Sequence, residues 1–561
     1  MKKIIYGNSN FRKIKINNDY LYIDKTNFIE KLENLNEDFV IFLRPRRFGK
    51  SLFLSTLHYY YDENAKKEFG KLFGDTYIGK NPTPLKNSYR ILFFEFSGIN
   101  IDGGIENIYN GFRDNIKFSV YRYFSNYGYE SYKEKLDTIP TPLGIIKYFF
   151  EIVKDDSIYI LIDEYDQFAN AILAHSMDDF LKMVGKGGFV RSFYEVLKTA
   201  TLSGVVQRMF ITGVTPITLD SLSSGFNIVK HLTYKEEFNA LAGFTQQEVN
   251  YSLENSIFQL CSDIDRDALL EKLKEWYNGY LFNIQADERI YNATLVNYFI
   301  SEFDFKRCKM PLKMLDSNVA SDYKAIMRLF NIGDSEQNYK ILNQLIETGS
   351  ITGTIKDRYD LNREFSRDDF ITLIYSMGFI TIQDEEFGEI FKFEIPNYVI
   401  KILYFNYFAI ELKNRNNLTV LKDIQTILVD LARGNREPFH QQLSEVIKIL
   451  SNRDHMGFNE AHFQVITLSL LSFASFYFIE SQPEKNRRYP DILLIGRDKK
   501  VPTNYLFELK WVKSREDYSA KRKEGITQVE EYLKMDTIQA IPKLKAYLLI
   551  GSKDGVEFLE V

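Results

Sequence analysis

Cysteine is nearly absent from this sequence of 561 residues, where Cys261 and Cys308 are the only two. Two cysteines can pair only once and match no metal-ligand spacing, which excludes a disulfide scaffold or a zinc cluster and makes a reducing compartment the expectation. Proline and glycine are also scarce, at 13 and 30 residues, while the apolar and charged fractions are 45% and 26%. That balance excludes collagen-like and disordered chains and describes a globular one. Long hydrophobic runs are missing as well. The longest uncharged stretch, residues 463–479, is interrupted by Thr467, Ser469, Ser472 and Ser475, and it falls short of the roughly 20 apolar residues of a membrane span. It reads as a buried helix followed by a strand, with no membrane partner. Residues 1–10 carry two lysines but no apolar core, so no secretory leader is expected there and a cytoplasmic location is. An excess of positive charge is the last thing lacking. The net charge of −5 excludes a surface that is one continuous field for nucleic acid, and leaves local basic patches open.

The length exceeds what one hydrophobic core serves, and predicts about three to four domains. Up to about Lys235, short apolar runs at 39–43, 91–96, 158–162 and 209–211 alternate with helical stretches, the rhythm of an α/β domain with a largely parallel sheet. From Thr245 to about Ile400, amphipathic helical patterns such as 268–276 and 339–347 dominate. After Leu418 a helical region leads to Glu460, and short strands with one more helix finish the chain. This last unit, of roughly 150 residues, is large enough to fold alone. The expected organisation is an α/β phosphate-binding domain over 1–235, a helical lid or connector over 236–415 and a C-terminal α/β domain over 416–561.

The run Val40-Ile41-Phe42-Leu43 followed by Arg44-Pro45-Arg46-Arg47-Phe48-Gly49-Lys50-Ser51 and an apolar helical stretch reads as strand, loop, helix. This is the setting of a P-loop. Backbone N–H groups of the loop, through Arg47, Phe48 and Gly49, would cradle phosphate oxygens of ATP, Lys50 would neutralise the β and γ phosphates, and the Ser51 hydroxyl would ligate Mg²⁺. The first glycine of the usual pattern is replaced by Arg44, which restricts the turn. Arg46 and Arg47 are open to two readings: phosphate contacts, in cis or offered to a neighbouring subunit, or salt-bridged surface groups. A second element, Ile158-Tyr159-Ile160-Leu161-Ile162-Asp163-Glu164, is an apolar strand ending in adjacent carboxylates. Asp163 would hold Mg²⁺ and Glu164 would orient or deprotonate the attacking water. Each motif alone could be a capped helix start; both in order, on the proper elements, favour nucleotide binding.

In the C-terminal region, Pro490-Asp491-Ile492-Leu493-Leu494-Ile495 and Tyr505-Leu506-Phe507-Glu508-Leu509-Lys510-Trp511 read as the two strands of a hairpin around the turn at 496–502. Period-two alternation puts Glu508 and Lys510 on one face, and pairing brings Asp491 beside them. Two carboxylates and a lysine then converge. Hard Mg²⁺ prefers such oxygen ligands, and the ammonium group can position a hydrolytic water, which fits phosphodiester hydrolysis. Basic residues gather between 481 and 524, among them Arg487, Arg488, Lys499, Lys500, Lys513, Lys521, Arg522 and Lys523. Such a face would contact phosphates without reading sequence, or would form the solvated rim of a packed sheet.

Taken together with Tyr22-Ile23-Asp24-Lys25-Thr26, Ile162-Asp163-Glu164-Tyr165-Asp166, Trp276-Tyr277-Asn278-Gly279-Tyr280 and Ile395-Pro396-Asn397, these motifs resemble a bacterial family of AAA-ATPase-like proteins fused to a PD-(D/E)XK nuclease domain. The resemblance covers nearly the whole chain. It implies that the loop spelled with Arg44 is the family's usual form, that Thr212, at the end of the third strand, occupies the place of a polar γ-phosphate sensor, and that Pro490-Asp491 with Glu508-Leu509-Lys510 is the nuclease signature. It further implies that Glu460 is an additional metal ligand, and that Gln528 and Tyr532, four apart on one helix face, help hold DNA or the active lysine; Arg488 and Lys513, of the basic run, are the further nucleic-acid contacts expected. The expected nuclease core runs helix, three strands, helix, strand, with 546–550 as the last strand. Two function classes follow. The first is an ATP-binding and ATP-hydrolysing enzyme coupled to Mg²⁺-dependent cleavage of nucleic acid, DNA being the expected substrate. The alternative is a nucleotide-switched nucleic-acid-binding or interaction protein with a weak or inactive nuclease fold. A homo-oligomer is compatible with either.

Overall fold

The computed structural model describes residues 2–561 except 18, 101–102, 175, 218–225, 312, 357–364, 417–422, 452–457, 475, 481–489 and 498–499. The chain divides into two compact units. The first comprises Met1–Pro311, Asp316–Tyr339 and Thr352–Asn397, and the second Leu312–Leu315, Lys340–Ile351 and Tyr398–Val561.

The first unit is built on a five-stranded parallel sheet in the spatial order Arg90–Glu95, Ile158–Asp163, Val206–Gly213, Phe39–Leu43, Lys230–His231. All six residues of Ile158–Asp163 are buried, as are the last four of Phe39–Leu43. A strand covered on both faces reads as a continuous apolar run, and helices on each side of a parallel sheet produce that cover. Val206–Gly213 lies between the strand that leads into the 44–49 loop and the strand ending in Asp163, so the loop and the acidic strand end reach the same edge of the sheet from either side of a third strand.

The remainder of this unit is helical, including Arg266–Tyr277 and Ser317–Ile326, but it is not wholly so. An antiparallel hairpin of Thr381–Phe387 and Ile390–Glu394, paired through Phe393 and Ile382, interrupts the helical run that the sequence pattern predicts there. Two of the motifs meet in this unit. Asn397 donates its side-chain amide to the Asn278 carbonyl at 2.8 Å, and Gly279, at φ 105°, lies so close to Pro396 that a Cβ would stand 1.9 Å from its carbonyl oxygen. Glycine is required there on both counts. Cys261 and Cys308 are joined in a disulfide, so the expectation of a reducing compartment finds no support in their state.

The second unit carries a five-stranded sheet ordered Tyr477–Glu480, Ile492–Gly496, Asn504–Trp511, Leu544–Ser552, Gly555–Glu560. Asn504–Trp511 pairs antiparallel with Ile492–Gly496 and parallel with Leu544–Ser552. The 463–479 stretch is, as its pattern predicts, the helix Glu460–Leu471 followed by the strand Tyr477–Glu480. The last strand is not 546–550: the chain turns once more into Gly555–Glu560, antiparallel to its predecessor. Alternation along Asn504–Trp511 sorts the side chains cleanly. Tyr505, Phe507, Leu509 and Trp511 join the core under the helices Ile424–Ala432, Glu437–Ser451 and Glu460–Leu471, whereas Leu506 packs with Val529 and Tyr532 of the helix Arg515–Tyr532. Glu508 and Lys510 therefore share the Leu506 face. Among the described residues, no helix is long and apolar enough to cross a membrane.

Candidate functional site

In the first unit the strand Phe39–Leu43 delivers the chain into a loop that ends at Gly49, in the left-handed region at φ 101°, where the helix Lys50–Tyr61 begins. The loop, the helix start and the surrounding chain enclose a cavity of about 430 Å³, lined among others by Gly49, Lys50, Ser51, Glu164, Phe244 and Asp322. That volume lies in the ordinary range for a small-molecule site. The Lys50 ammonium donates to the carbonyls of Arg44 (2.9 Å) and Pro45 (3.1 Å); burial lowers its pKa, against the pull of Glu164, Asp163 and Asp166. Asp163 is buried, which raises its carboxyl, while the Ser51 hydroxyl and Lys50 act in the other direction. Glu164 follows at φ 49°, a conformation uncommon outside glycine, with its carboxyl also raised by burial and restrained by Lys50. Lys50, Ser51 and Asp163 are thus within one electrostatic neighbourhood, and a cation, hydroxyl and carboxylate in that order fit a magnesium-bound triphosphate.

Arg44 has a different role from any phosphate ligand. It is 1% exposed, and its guanidinium donates to the carbonyls of Leu43 (2.9 Å), Thr233 (2.7 Å), Phe238 (3.1 Å) and Asn239 (3.4 Å). It lies over the rings of Phe282 at 3.9 Å and Phe42 at 4.4 Å. Burial pushes its pKa down to about 9, so it stays charged at neutral pH. Where a phosphate loop usually has a flexible glycine, this chain has a clamp that ties the loop to residues 233–239.

The other loop residues divide. Arg47, at φ 70°, donates to Asp322 Oδ2 from Nε (2.8 Å) and from its second terminal nitrogen (2.5 Å), and its carbonyl accepts from Thr294 Oγ1 at 2.7 Å. Its side chain is ion-paired as the structure stands, on the rim of the cavity it shares with Asp322. Phe48 turns its ring edge-on to Tyr280 and Phe282, so only its backbone is offered to a ligand. Thr212 does not line the cavity; it is fully buried, and its hydroxyl has no partner among the described residues. The residue that binds this strand end is Asp166, which accepts from the N–H groups of Val214 (3.1 Å) and Thr215 (2.7 Å), the Thr215 hydroxyl (3.0 Å) and Asn170 (2.7 Å). Gly213 permits the approach, since a Cβ would stand 2.4 Å from the Asp166 carboxylate. The sequence shows Asp166 within its motif but gives no sign of this work, which joins residues about fifty apart.

In the second unit the expected acidic cluster forms. Lys510 Nζ donates to Glu508 Oε1 at 2.7 Å and lies 3.6 Å from Glu460 Oε1. Asp491 Oδ2 accepts from the Leu509 N–H at 2.7 Å, and Glu460 Oε2 from the Trp511 N–H at 3.1 Å. Burial raises the carboxyls of both Asp491 and Glu508; their mutual repulsion adds to it for Asp491, and Lys510 works against it for each. For Lys510 burial disfavours the charge, yet Glu508, Glu460 and Asp491 outweigh burial and leave its pKa raised. Three carboxylates around one ammonium form a site short of positive charge. Glu508 Oε2 is buried with no hydrogen-bond partner among the described residues, an acceptor that a divalent cation would satisfy. As they stand, no three acidic, histidine or cysteine side chains among the described residues close into a ready-made cage.

Tyr532 is buried, and its hydroxyl is raised by burial and then by Glu508 and Asp491, which places it beside the cluster. Gln528, one turn earlier, has a buried side-chain oxygen with no partner among the described residues. Lys513 is exposed two residues beyond Trp511, and Arg522 and Lys523 are exposed on the helix Arg515–Tyr532. Arg488 lies outside the described residues, as do Arg487 and Lys499.

Comparison with known proteins accords with this geometry. Residues 5–223 match the family model of a predicted AAA-ATPase, and residues 458–553 match that of the PD-(D/E)XK nuclease superfamily. The chain is also similar to an uncharacterized protein in the vnfD 5′ region of Azotobacter chroococcum mcd 1, at 26% identity over 305 residues, covering 52% of this chain and 50% of that protein. The chain spans about half the length of this curated relative.

Proposed function

We propose that this chain, with an AAA-ATPase-like domain and a PD-(D/E)XK nuclease-superfamily domain, is a nucleotide-dependent nuclease that cleaves DNA with the help of Mg²⁺. The observation that carries the reading is the convergence of Asp491, Glu508 and Glu460 on the Lys510 ammonium, in a chain that also holds Lys50, Ser51 and Glu164 around a cavity of about 430 Å³, with Asp163 acting on Lys50 and Ser51 from behind them. Asp491, Glu508 and Glu460 would hold the nuclease metal, which supplies charge neutralisation and an activated water. Lys510 positions that water and balances charge as its oxygen bonds to phosphorus and the opposite ester P–O bond breaks. Gln528 and Tyr532 border the same face, and Lys513 and the exposed cations of the following helix would take the phosphates of the strand, with Arg488 as a further contact.

In the first unit Lys50, Ser51 and Asp163 would hold magnesium-bound ATP, and Glu164 would orient the attacking water. Residues 236–397 of that unit contribute Leu241–Phe244, Ala293, Thr294 and Asp322 to the cavity wall, which supports a lid role for this stretch. A coupling between the two activities requires ATP to favour one conformation over another.

The test is cleavage of linear, circular and single-stranded DNA with Mg²⁺, with and without ATP, by the wild type, Asp491→Ala and Lys50→Ala. Cutting that is lost in Asp491→Ala and altered in Lys50→Ala supports the proposal. Binding of ATP and DNA with no cutting on any substrate overturns it in favour of a nucleotide-switched binding protein.

A further inference from the structure

We infer that His462 and Asn343 are positioning residues for the metal-binding carboxylate Glu460, an inference that rests on the nuclease reading above. Glu460 is the first residue of its helix, and Asn459 is the cap. The Asn459 side-chain oxygen accepts from the His462 backbone N–H at 3.0 Å and lies 2.8 Å from His462 Nδ1. On the far side of the ring, His462 Nε2 lies 3.0 Å from the Asn343 side-chain nitrogen. The two contacts form a consistent chain: the Asn343 amide donates into Nε2, which leaves the proton on Nδ1 to donate to Asn459. The imidazole therefore holds the cap, and the cap fixes the point from which Glu460 projects.

A second contact fixes the other side. Phe458 stacks on His462 at 5.3 Å and meets the Trp511 ring at 4.4 Å, and the Trp511 N–H is the donor to Glu460 Oε2. Glu460 is thus held between a cap steadied by His462 and a strand residue packed through the same aromatic pair. An ordinary helix cap needs neither the outer partner nor the imidazole, since asparagine alone suffices to accept the N–H of the third residue. Asn343 stands 119 positions from His462, in the Lys340–Ile351 segment that packs with the second unit. It thereby adds to the site a residue that lies well outside the contiguous nuclease sequence. Groups of this kind, which orient a ligand rather than touch the ion, commonly govern metal affinity.

The measurement is Mn²⁺ binding by the full chain without nucleotide, by calorimetry, with Asp491→Asn marking which binding belongs to the nuclease site. His462→Phe and Asn343→Leu are expected to weaken that binding by about 10–100-fold. His462→Asn, which restores a donor toward Asn459, is expected to recover most of it. The half-saturating Mg²⁺ for cleavage should rise in parallel while the rate at saturating metal changes little, and thermal melting should stay at the wild-type temperature. Wild-type affinity in both His462→Phe and Asn343→Leu overturns the positioning role, as does a loss that tracks melting temperature and is not recovered by His462→Asn. Absence of Asp491-dependent binding in the wild type overturns the nuclease reading on which the inference rests.

Discussion

Replacing Arg44 by glycine writes the general phosphate-loop residue into this chain, and on sequence alone should ease the turn. The structure predicts the opposite. Arg44→Gly removes donors from the carbonyls of Thr233, Phe238 and Asn239, besides that of Leu43; Phe238 keeps the Leu241 N–H, and each buried acceptor left without a partner costs about 1–3 kcal/mol. The stacks on Phe282 and Phe42 add about 1 kcal/mol apiece, and a void opens where the side chain lay. Against this, the folded state no longer bears the desolvation of a buried cation, which is worth several kcal/mol. The balance is a destabilisation of about 3–5 kcal/mol, the range seen when one partner of a buried charged arrangement is deleted. At about 2–4 °C per kcal/mol for sizeable domains, melting should fall by roughly 10 °C. Calorimetric melting of the full chain, alongside binding of a fluorescent ATP analogue, reads both consequences, and Arg44→Lys should fall between the two because it keeps the charge and loses the planar fork. A glycine variant that melts with the wild type and binds nucleotide as well or better would refute the clamp and leave Arg44 as a mere occupant of the glycine position.

Two further outcomes are expected. His58 is held neutral by burial and by Arg122, from an ordinary 6.5 down to about 4, so the unfolded chain binds the proton first; stability is full above pH 6.5 and is lost as pH falls toward 4. The whole shift corresponds to about 3 kcal/mol, reduced to about 1–2 kcal/mol because the side chain keeps 23% exposure and lies 3.7 Å from Asp62; urea melts at pH 7.5 and 5.0 that fall equally in wild type and His58→Gln would contradict it. Gly279→Ala would drive a methyl group to 1.9 Å from the Pro396 carbonyl at φ 105°, and should cost about 2–4 kcal/mol; unchanged melting would mean that the 278–280 and 395–397 motifs do not meet.

The elements that could be read from the sequence were those whose pattern has a local cause. Ile158–Asp163 and Phe39–Leu43 are covered on both faces, so they appear as unbroken apolar runs, and Asn504–Trp511 carries Glu508 and Lys510 two residues apart on one pleat face. The hairpin of Thr381–Phe387 and Ile390–Glu394 is not legible in the sequence because the outer residues of its first strand, Asp384, Glu385 and Glu386, are exposed and charged, as the surface of a helix would be. Gly555–Glu560 is short and half exposed, and the one signal for it is local, the Asp554-Gly555 pair at the tight turn that joins Ser552 to Gly555. The roles of individual side chains were least legible where the partner is remote. Arg44 finds its acceptors almost two hundred residues away, Arg47 finds Asp322, and Asp166 finds Thr215. Spacing and composition carry no trace of such pairs, whereas the Asp491, Glu508 and Lys510 group was foreseen because a hairpin brings it together.

The segment Lys340–Ile351, which packs with the second unit although it is flanked in sequence by residues of the first, bears on how this architecture can be inherited. A gene fragment encoding only the residues from Tyr398 onward would omit Asn343 and its neighbours, so a cassette that keeps the second unit whole has to begin upstream of Lys340. Shuffling that respects its integrity would have to carry that piece of the upstream coding sequence along, and with it residues Thr352–Asn397, which belong to the first unit.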